Sequence, residues 1–245
     1  MKLNNQSILI TGGSSGIGLE LAARLVEKGN KVIICGRSVE KLKEAQRKIP
    51  PLHYFTCDIS DSESCKKLRD WIMVHHPDVN ILINNAAIVH MANFHEEDSI
   101  LEMADKEFAT NFFGPIHLIK LLLPILEKNP DPAIVNETTG LVYTPRVDYP
   151  FYNSTKAALH AFTQVLRQHL KVSPVKVYEV LFPAVDTPWH KGKPPKIAIS
   201  VEKAVEEMIK GLEKGKAEVK IAGVKLLYML SRIAPAFAFR KINSL

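Results

Sequence analysis

The turn Thr11-Gly12-Gly13-Ser14-Ser15-Gly16-Ile17-Gly18 limits what this chain can become, because of what stands on either side of it. A short apolar run at 7–10 leads into it, and 16–28 leaves it with Ile17, Leu21, Leu25 and Val26 at helical spacing. Strand, glycine turn and helix thus follow without a linker, and a second strand rich in β-branched residues at 31–35 closes a βαβ unit. The glycines at 12, 16 and 18 differ in spacing from the GxGxxG dinucleotide fingerprint but share its mechanics. One permits a tight turn, one lets backbone amides approach a phosphate, and one lets helix and strand pack closely. A pyrophosphate is expected at the start of the 16–28 helix, with Ser14, Ser15 and Ile17 among its contacts, because free N–H groups and the helix dipole favour an anion there.

The alternation continues along the chain. Helices are expected at 39–48, 62–75, 103–126, 151–171 and 201–214, and strands at 53–56, 79–84, 133–137, 175–182 and 218–221. Strict alternation implies an α/β fold with a doubly wound, mostly parallel sheet. No Gly/Ser-rich or Pro-rich linker divides the 245 residues, so a single domain is expected. Within it, 1–190 forms a dinucleotide-binding and catalytic core, and 191–245 a short substrate lid, a last helix and strand, and a tail. Hydrophobic residues at 46% and charged residues at 24% exclude general disorder. Cys35, Cys57 and Cys65 form no CxxC pair, and Met1-Lys2-Leu3 runs straight into a strand, so a reducing cytoplasm is the expected location.

The end of the second strand selects between nicotinamide cofactors. An acid there would accept from a ribose 2′-hydroxyl, whereas a cation would pair with a 2′-phosphate. The chain has Gly36-Arg37-Ser38 and no acid, which points to NADP(H), with Arg37 in a charge-assisted contact and Ser38 adding a hydrogen bond.

Far downstream, Tyr152-Asn153-Ser154-Thr155-Lys156 carries a proton-transfer pair. Spacing of four on a helix puts Tyr152 and Lys156 on one face. A nearby ammonium, with the positive nicotinamide of the oxidised cofactor, favours phenolate and is expected to lower the tyrosine pKa from its usual value of about 10. Tyr152 is thus the candidate general acid in carbonyl reduction, or base in alcohol oxidation. Within the long helix at 103–126, Pro115 cannot donate to the carbonyl of Asn111, so a kink that frees this carbonyl is expected.

With these features in order, the chain resembles the short-chain dehydrogenases/reductases over 7–187. The match runs through TGGSSGIG, Asp58 after strand three, Asn84-Asn85-Ala86-Ala87, Asn111, the Tyr152/Lys156 pair and Pro183-Ala184-Val185-Asp186-Thr187. The resemblance implies a Rossmann-type sheet of seven strands and hydride transfer between a nicotinamide and a carbonyl/alcohol pair. It implies Asp58 near the adenine, the Asn84 to Ala86 turn beside the adenosine ribose, Thr187 near the carboxamide, and Ile59, Pro183 and Val185 as further cofactor contacts. Lys156 would tune Tyr152 and hold the nicotinamide ribose, and Asn111 would bind a water of a proton relay. The family usually has serine thirteen positions before the tyrosine; here Thr139 stands there, with Thr138 as a fallback. Threonine keeps the hydroxyl but stiffens χ1. Ala87 and Ala184 replace glycines frequent in the family. A homodimer or homotetramer through the helices at 103–126 and 151–171 is also implied. The competing reading is an NADP(H)-binding regulatory or scaffold protein with little turnover.

The lid between Thr187 and the next helix spans only 188–199, with Trp189, His190 and three lysines, which suggests an open pocket or one closed by another segment. The net charge of +6 is uneven: 191–245 holds 12 basic and 5 acidic residues, a balance of +7. The tail at 225–241 is apolar but interrupted by Arg232 and Pro235, too short to cross a bilayer, for which about 20 residues are needed. Three readings stay open for it: packing on the domain or a partner subunit, a wall of a lipophilic substrate pocket, and an interfacial contact with anionic lipid. Packing is favoured over the membrane contact. The cations lack interleaved aromatics and a recognition motif, which argues against nucleic acid. The histidines lack metal-ligand spacing, so no metal site is expected.

Overall fold

The computed structural model of the chain describes residues 1–190 and 192–244. Seven strands form one parallel sheet in the order β3-β2-β1-β4-β5-β6-β7. They are β1 (Ser7–Thr11), β2 (Lys31–Gly36), β3 (His53–Thr56), β4 (Ile81–Asn84), β5 (Ala133–Thr139), β6 (Lys176–Phe182) and β7 (Glu218–Lys220). The sheet is wholly parallel, so the seven-stranded doubly wound architecture stands.

Side-chain alternation along each strand feeds two apolar layers. Ile8 and Ile10 of β1 face α1 (Gly16–Glu27), α2 (Val39–Lys48) and α7 (Val201–Glu213), meeting Leu21, Leu42 and Met208. Leu9 faces the other way, into the layer of α3 (Ser62–His75), α5 (Gly114–Leu126) and α6 (Pro150–His169), with Leu68, Leu122 and Leu166. β1 and β4 are buried on both faces, as parallel strands between helical layers must be. Each fully buried Ile or Leu contributes about 1.5–3 kcal/mol. The strand order reverses between β1 and β4, and in open α/β sheets ligands bind at that switch point, beyond the carboxyl ends of the strands.

Two segments differ from the sequence expectation. The long helix begins earlier, as α4 (Ile100–Phe108), and continues through a π-helical turn at Ala109–Phe113 into α5. Gly114 N–H donates to the Ala109 carbonyl five residues back, so the missing N–H of Pro115 is absorbed by a widened turn rather than a sharp kink. The stretch Ile100–Leu126 is long and apolar enough to cross a membrane by length and composition, but Leu118, Leu122 and Leu126 are buried in the core layer. The tail forms two helices, α8 (Val224–Ile233) and α9 (Pro235–Ile242), divided where Pro235 opens a new first turn.

Candidate active site

At the switch point, Gly12 (φ +66°) and Gly16 (φ +54°) adopt left-handed backbone that favours glycine. A Cβ on Gly18 would stand 2.5 Å from the Gly12 carbonyl oxygen, so this glycine packs helix against turn and does not line the cavity above. Thr11 Oγ1 accepts from the N–H groups of Asn85 and Ala86, each at 3.0 Å, and Asn85 Nδ2 donates to the Thr11 carbonyl at 2.6 Å. These bonds seam the ends of β1 and β4. Ser15 precedes α1 without capping it through its side chain, which leaves the first-turn N–H groups to a ligand. A pyrophosphate fits this cradle.

The cavity encloses about 740 Å³. Gly12, Ser14, Ser15, Gly16 and Ile17 line its phosphate end. Arg37, Ser38, Asp58 and Ile59 line its far end, joined by Lys41, which the sequence reading did not single out. Ser38 caps α2, accepting from Lys41 N–H at 3.2 Å and donating to Glu40 Oε2 at 2.9 Å. Exposed Arg37 and Lys41 thus stand beside a helix N-terminus, a setting suited to a phosphate dianion.

At the other end lie Thr139, Tyr152, Lys156, Pro183, Val185 and Thr187, with Ala86 from the β4 turn. Lys156 Nζ donates to the Glu137 carbonyl at 2.7 Å and lies 6.0 Å from the Tyr152 ring centroid. Thr139 Oγ1 donates to the Phe182 carbonyl at 3.2 Å and accepts from Leu141 N–H at 3.3 Å. Thr138 is committed elsewhere, to Glu179 at 2.5 Å. Three predicted residues stand outside the lining: Gly18, Asn84 and Asn111. Asn84 Nδ2 donates inward to Asn136 Oδ1 at 2.8 Å. Asn111 accepts from Ile88 N–H at 2.8 Å and donates to the Ile88 carbonyl at 2.8 Å and to Thr155 Oγ1 at 3.2 Å. Since Thr155 Oγ1 donates to the Tyr152 carbonyl at 3.0 Å, Asn111 ties the β4 turn to the helix that carries the tyrosine.

The electrostatics depart from the expectation. Burial, then the carboxyls of Glu107 and Glu137, push the Tyr152 phenol above its ordinary value, so in the site without cofactor Tyr152 is held as the acid. Burial lowers Lys156 to about 8 against the pull of Glu137 and Glu179. Burial raises Glu137 to about 8 against the pull of Lys156, and its Oε1 has no hydrogen-bond partner. Glu107, also raised by burial, accepts from His90 N–H at 2.6 Å and meets its Nδ1 at 2.9 Å. The one charged residue in the apolar and threonine-rich strand Ala133–Thr139 was the signal that would have found Glu137.

The lid is closed at its base: Val185 bridges Ile199, and Asp186 N–H donates to the Ile199 carbonyl at 2.9 Å. Trp189 packs edge-on to Tyr149, with centroids 5.9 Å apart. Of the three lid lysines, Lys191 lies outside the described residues. With Ile197 of the lid, Leu141, Val224, Leu227 and Ile242 make an apolar wall, so the tail does border the cavity.

The short chain dehydrogenase family profile matches residues 6–198, most of the chain and all the elements just described except α7–α9 and β7. The chain belongs to the short-chain dehydrogenases. It is 40% identical over 249 residues to the uncharacterised oxidoreductase DltE of Bacillus subtilis, covering 100% of this chain and 99% of that one. It is 31% identical to a fatty acyl-CoA reductase of Acinetobacter baylyi over 74% of this chain and 62% of the relative. Among solved structures, a short-chain dehydrogenase of Burkholderia cenocepacia in complex with NADP superposes with a TM-score of 0.87 at 25% identity, covering 99% of both chains. One from Burkholderia phymatum in complex with NAD reaches 0.85 at 16% identity, over 99% of this chain and 98% of that one, a likeness of fold. This short-chain dehydrogenase is therefore an oxidoreductase by family.

Proposed function

We propose that this short-chain dehydrogenase is NADP(H)-dependent and interconverts a carbonyl and an alcohol on a lipophilic small molecule. The observation that carries this reading is the convergence of Thr139, Tyr152 and Lys156 on the same cavity as the glycine turn and Arg37. The bound nicotinamide supplies or receives the hydride. The chain's own residues manage the oxygen. Thr139 turns its hydroxyl from the Phe182 carbonyl to the substrate oxygen, in the place where the family usually has serine. Tyr152 donates its phenolic proton to that oxygen as charge builds there. The Lys156 ammonium offsets the phenolate left behind and holds the ribose hydroxyls, while Asn111 fixes the turn and helix around the tyrosine.

Selection of NADP(H) rests on Arg37 just after β2, on Lys41 in the first turn of α2, and on the lack of an acid at the end of β2. The NADP-bound Burkholderia neighbour supports it; the NAD-bound one marks the alternative. The apolar wall supports a lipophilic substrate, in keeping with the name of the Acinetobacter relative. Three free, buried cysteines support a reducing, cytoplasmic setting. Exposed Leu101, Phe113 and Val165 support a homodimer or homotetramer through the α4–α5 and α6 helices.

The test is oxidation of NADPH and NADH across a panel of aldehydes, ketones and quinones, in parallel on the wild type and Tyr152→Phe. Turnover with NADPH that disappears in the variant supports the enzyme reading. Tight NADPH binding with no Tyr152-dependent turnover favours the regulatory or scaffold reading.

A further inference from the structure

We infer that the α8–α9 hairpin docks this protein on an anionic lipid surface. The hairpin has two faces. Inward, Val224 and Ala238 are buried, and Leu227 and Ile242 line the cavity. Asn243 fastens the end of the hairpin, accepting from Val147 N–H at 2.8 Å and donating to the Pro145 carbonyl at 3.2 Å. The element is therefore already docked on its own domain, and its outer apolar groups are left over from that packing.

Those groups form a patch. Leu226, Met229 and Ile233 recur at helical spacing along α8, and Ile233 is 78% exposed. On α9, Phe237 and Phe239 are also exposed, on the two flanks of buried Ala238. Exposed apolar side chains gathered on one helix face point to an interaction site, where singly scattered ones do not.

Charge identifies the partner. No aspartate or glutamate follows Glu218 in the sequence, whereas Lys225, Arg232, Arg240 and Lys241 lie on the hairpin and are exposed. The groove at the foot of α8 holds Lys210, Lys214, Lys216, Lys220 and Lys225 beside Glu207 and Glu218; Glu218 pairs with Lys220 and Glu207 accepts from Ala222 N–H, so the cations stay in excess there. A second copy meeting this face through a two-fold axis would set like charges against one another, because such an interface is self-complementary. Exposed apolar side chains flanked by Lys and Arg, with no acid on the hairpin itself, match the headgroup and acyl boundary of an anionic bilayer.

The test uses the full chain in flotation with phosphatidylcholine vesicles, with and without phosphatidylglycerol at roughly one third of the lipid, an amount that gives a strongly anionic surface. Co-flotation with the anionic vesicles alone, weakened by salt, is the expected result. Leu226→Glu with Ile233→Glu should lower the co-floating fraction about fivefold or more, as should Arg232→Gln with Arg240→Gln and Lys241→Gln, because both area and charge drive such binding. None of these residues lines the cavity, so NADPH binding reports whether each variant is folded. The inference fails if wild type does not float with anionic vesicles, or if both variant sets float as wild type does. It also fails if Ile233→Glu abolishes self-association in lipid-free sedimentation, which would assign the face to a second copy.

Discussion

At the scale of single residues, the site turns on three protonatable groups that burial pushes away from their ordinary behaviour. Replacing Tyr152 by Phe removes the phenolic proton that the proposed mechanism delivers to the substrate oxygen. Carbonyl reduction should fall by roughly 10²–10⁴-fold with NADPH affinity retained, read by steady-state kinetics beside a binding titration. Thr139→Ala should cost about 10²–10³-fold in kcat, and Thr139→Ser should restore it; equal rates in all three would mean that the hydroxyl does not meet the transition state. Glu137 has a separate signature in stability. Below its ordinary value of 4.5 it is protonated folded or unfolded; between there and about 8 only the folded state keeps the proton. Folding therefore weakens as pH rises through that window, and levels off above it. Glu137→Gln escapes the effect, so its melting temperature should gain on wild type from pH 5 to pH 8. Parallel curves would show that the carboxyl is not held neutral.

At the scale of elements, the junction of β2 with α2 and the π-helical turn each do one task. Arg37 and Lys41 approach the start of α2 from loop and first turn, where the proposed NADP(H) reading puts two charge-assisted contacts to a 2′-phosphate. Arg37→Ala should weaken NADPH binding by roughly 10–100-fold and leave NADH nearly unchanged, which isothermal titration with both cofactors would resolve. The π-helical turn sets Asn111 against Ile88 and Thr155 through three hydrogen bonds. Asn111→Ala should destabilise the fold by about 1–3 kcal/mol through the orphaned buried partners, measured by denaturant unfolding. The turn also marks a limit of sequence reading. Pro115 announces an irregularity, but whether the helix kinks or widens depends on what α6 and the β4 turn demand of Asn111.

At the scale of the whole molecule, the doubly wound parallel sheet was legible because the alternation of apolar strand runs with helices of period 3.6 is written locally, whereas the strand order, set by long-range pairing, came with the structure. Nearly all the predicted cofactor contacts meet in one cavity because a parallel sheet brings every strand's carboxyl end to one edge. The phenol's environment was not legible, since Glu107 and Glu137 reach Tyr152 from α4 and β5, far away in sequence. Nor was the hairpin's double role, because an apolar stretch broken by Arg232 and Pro235 has no periodicity that says which side faces the cavity. The seam at Thr11 belongs to this scale as well. One hydroxyl receives two amides across the line that divides the β1–β3 half of the sheet from the β4–β7 half. In terms of time, the Asn85 and Ala86 amides meet solvent deuterium when the Thr11 hydroxyl releases them. Their exchange should report how often that seam opens locally, which would make this pair of amides a clock for the integrity of the cofactor floor.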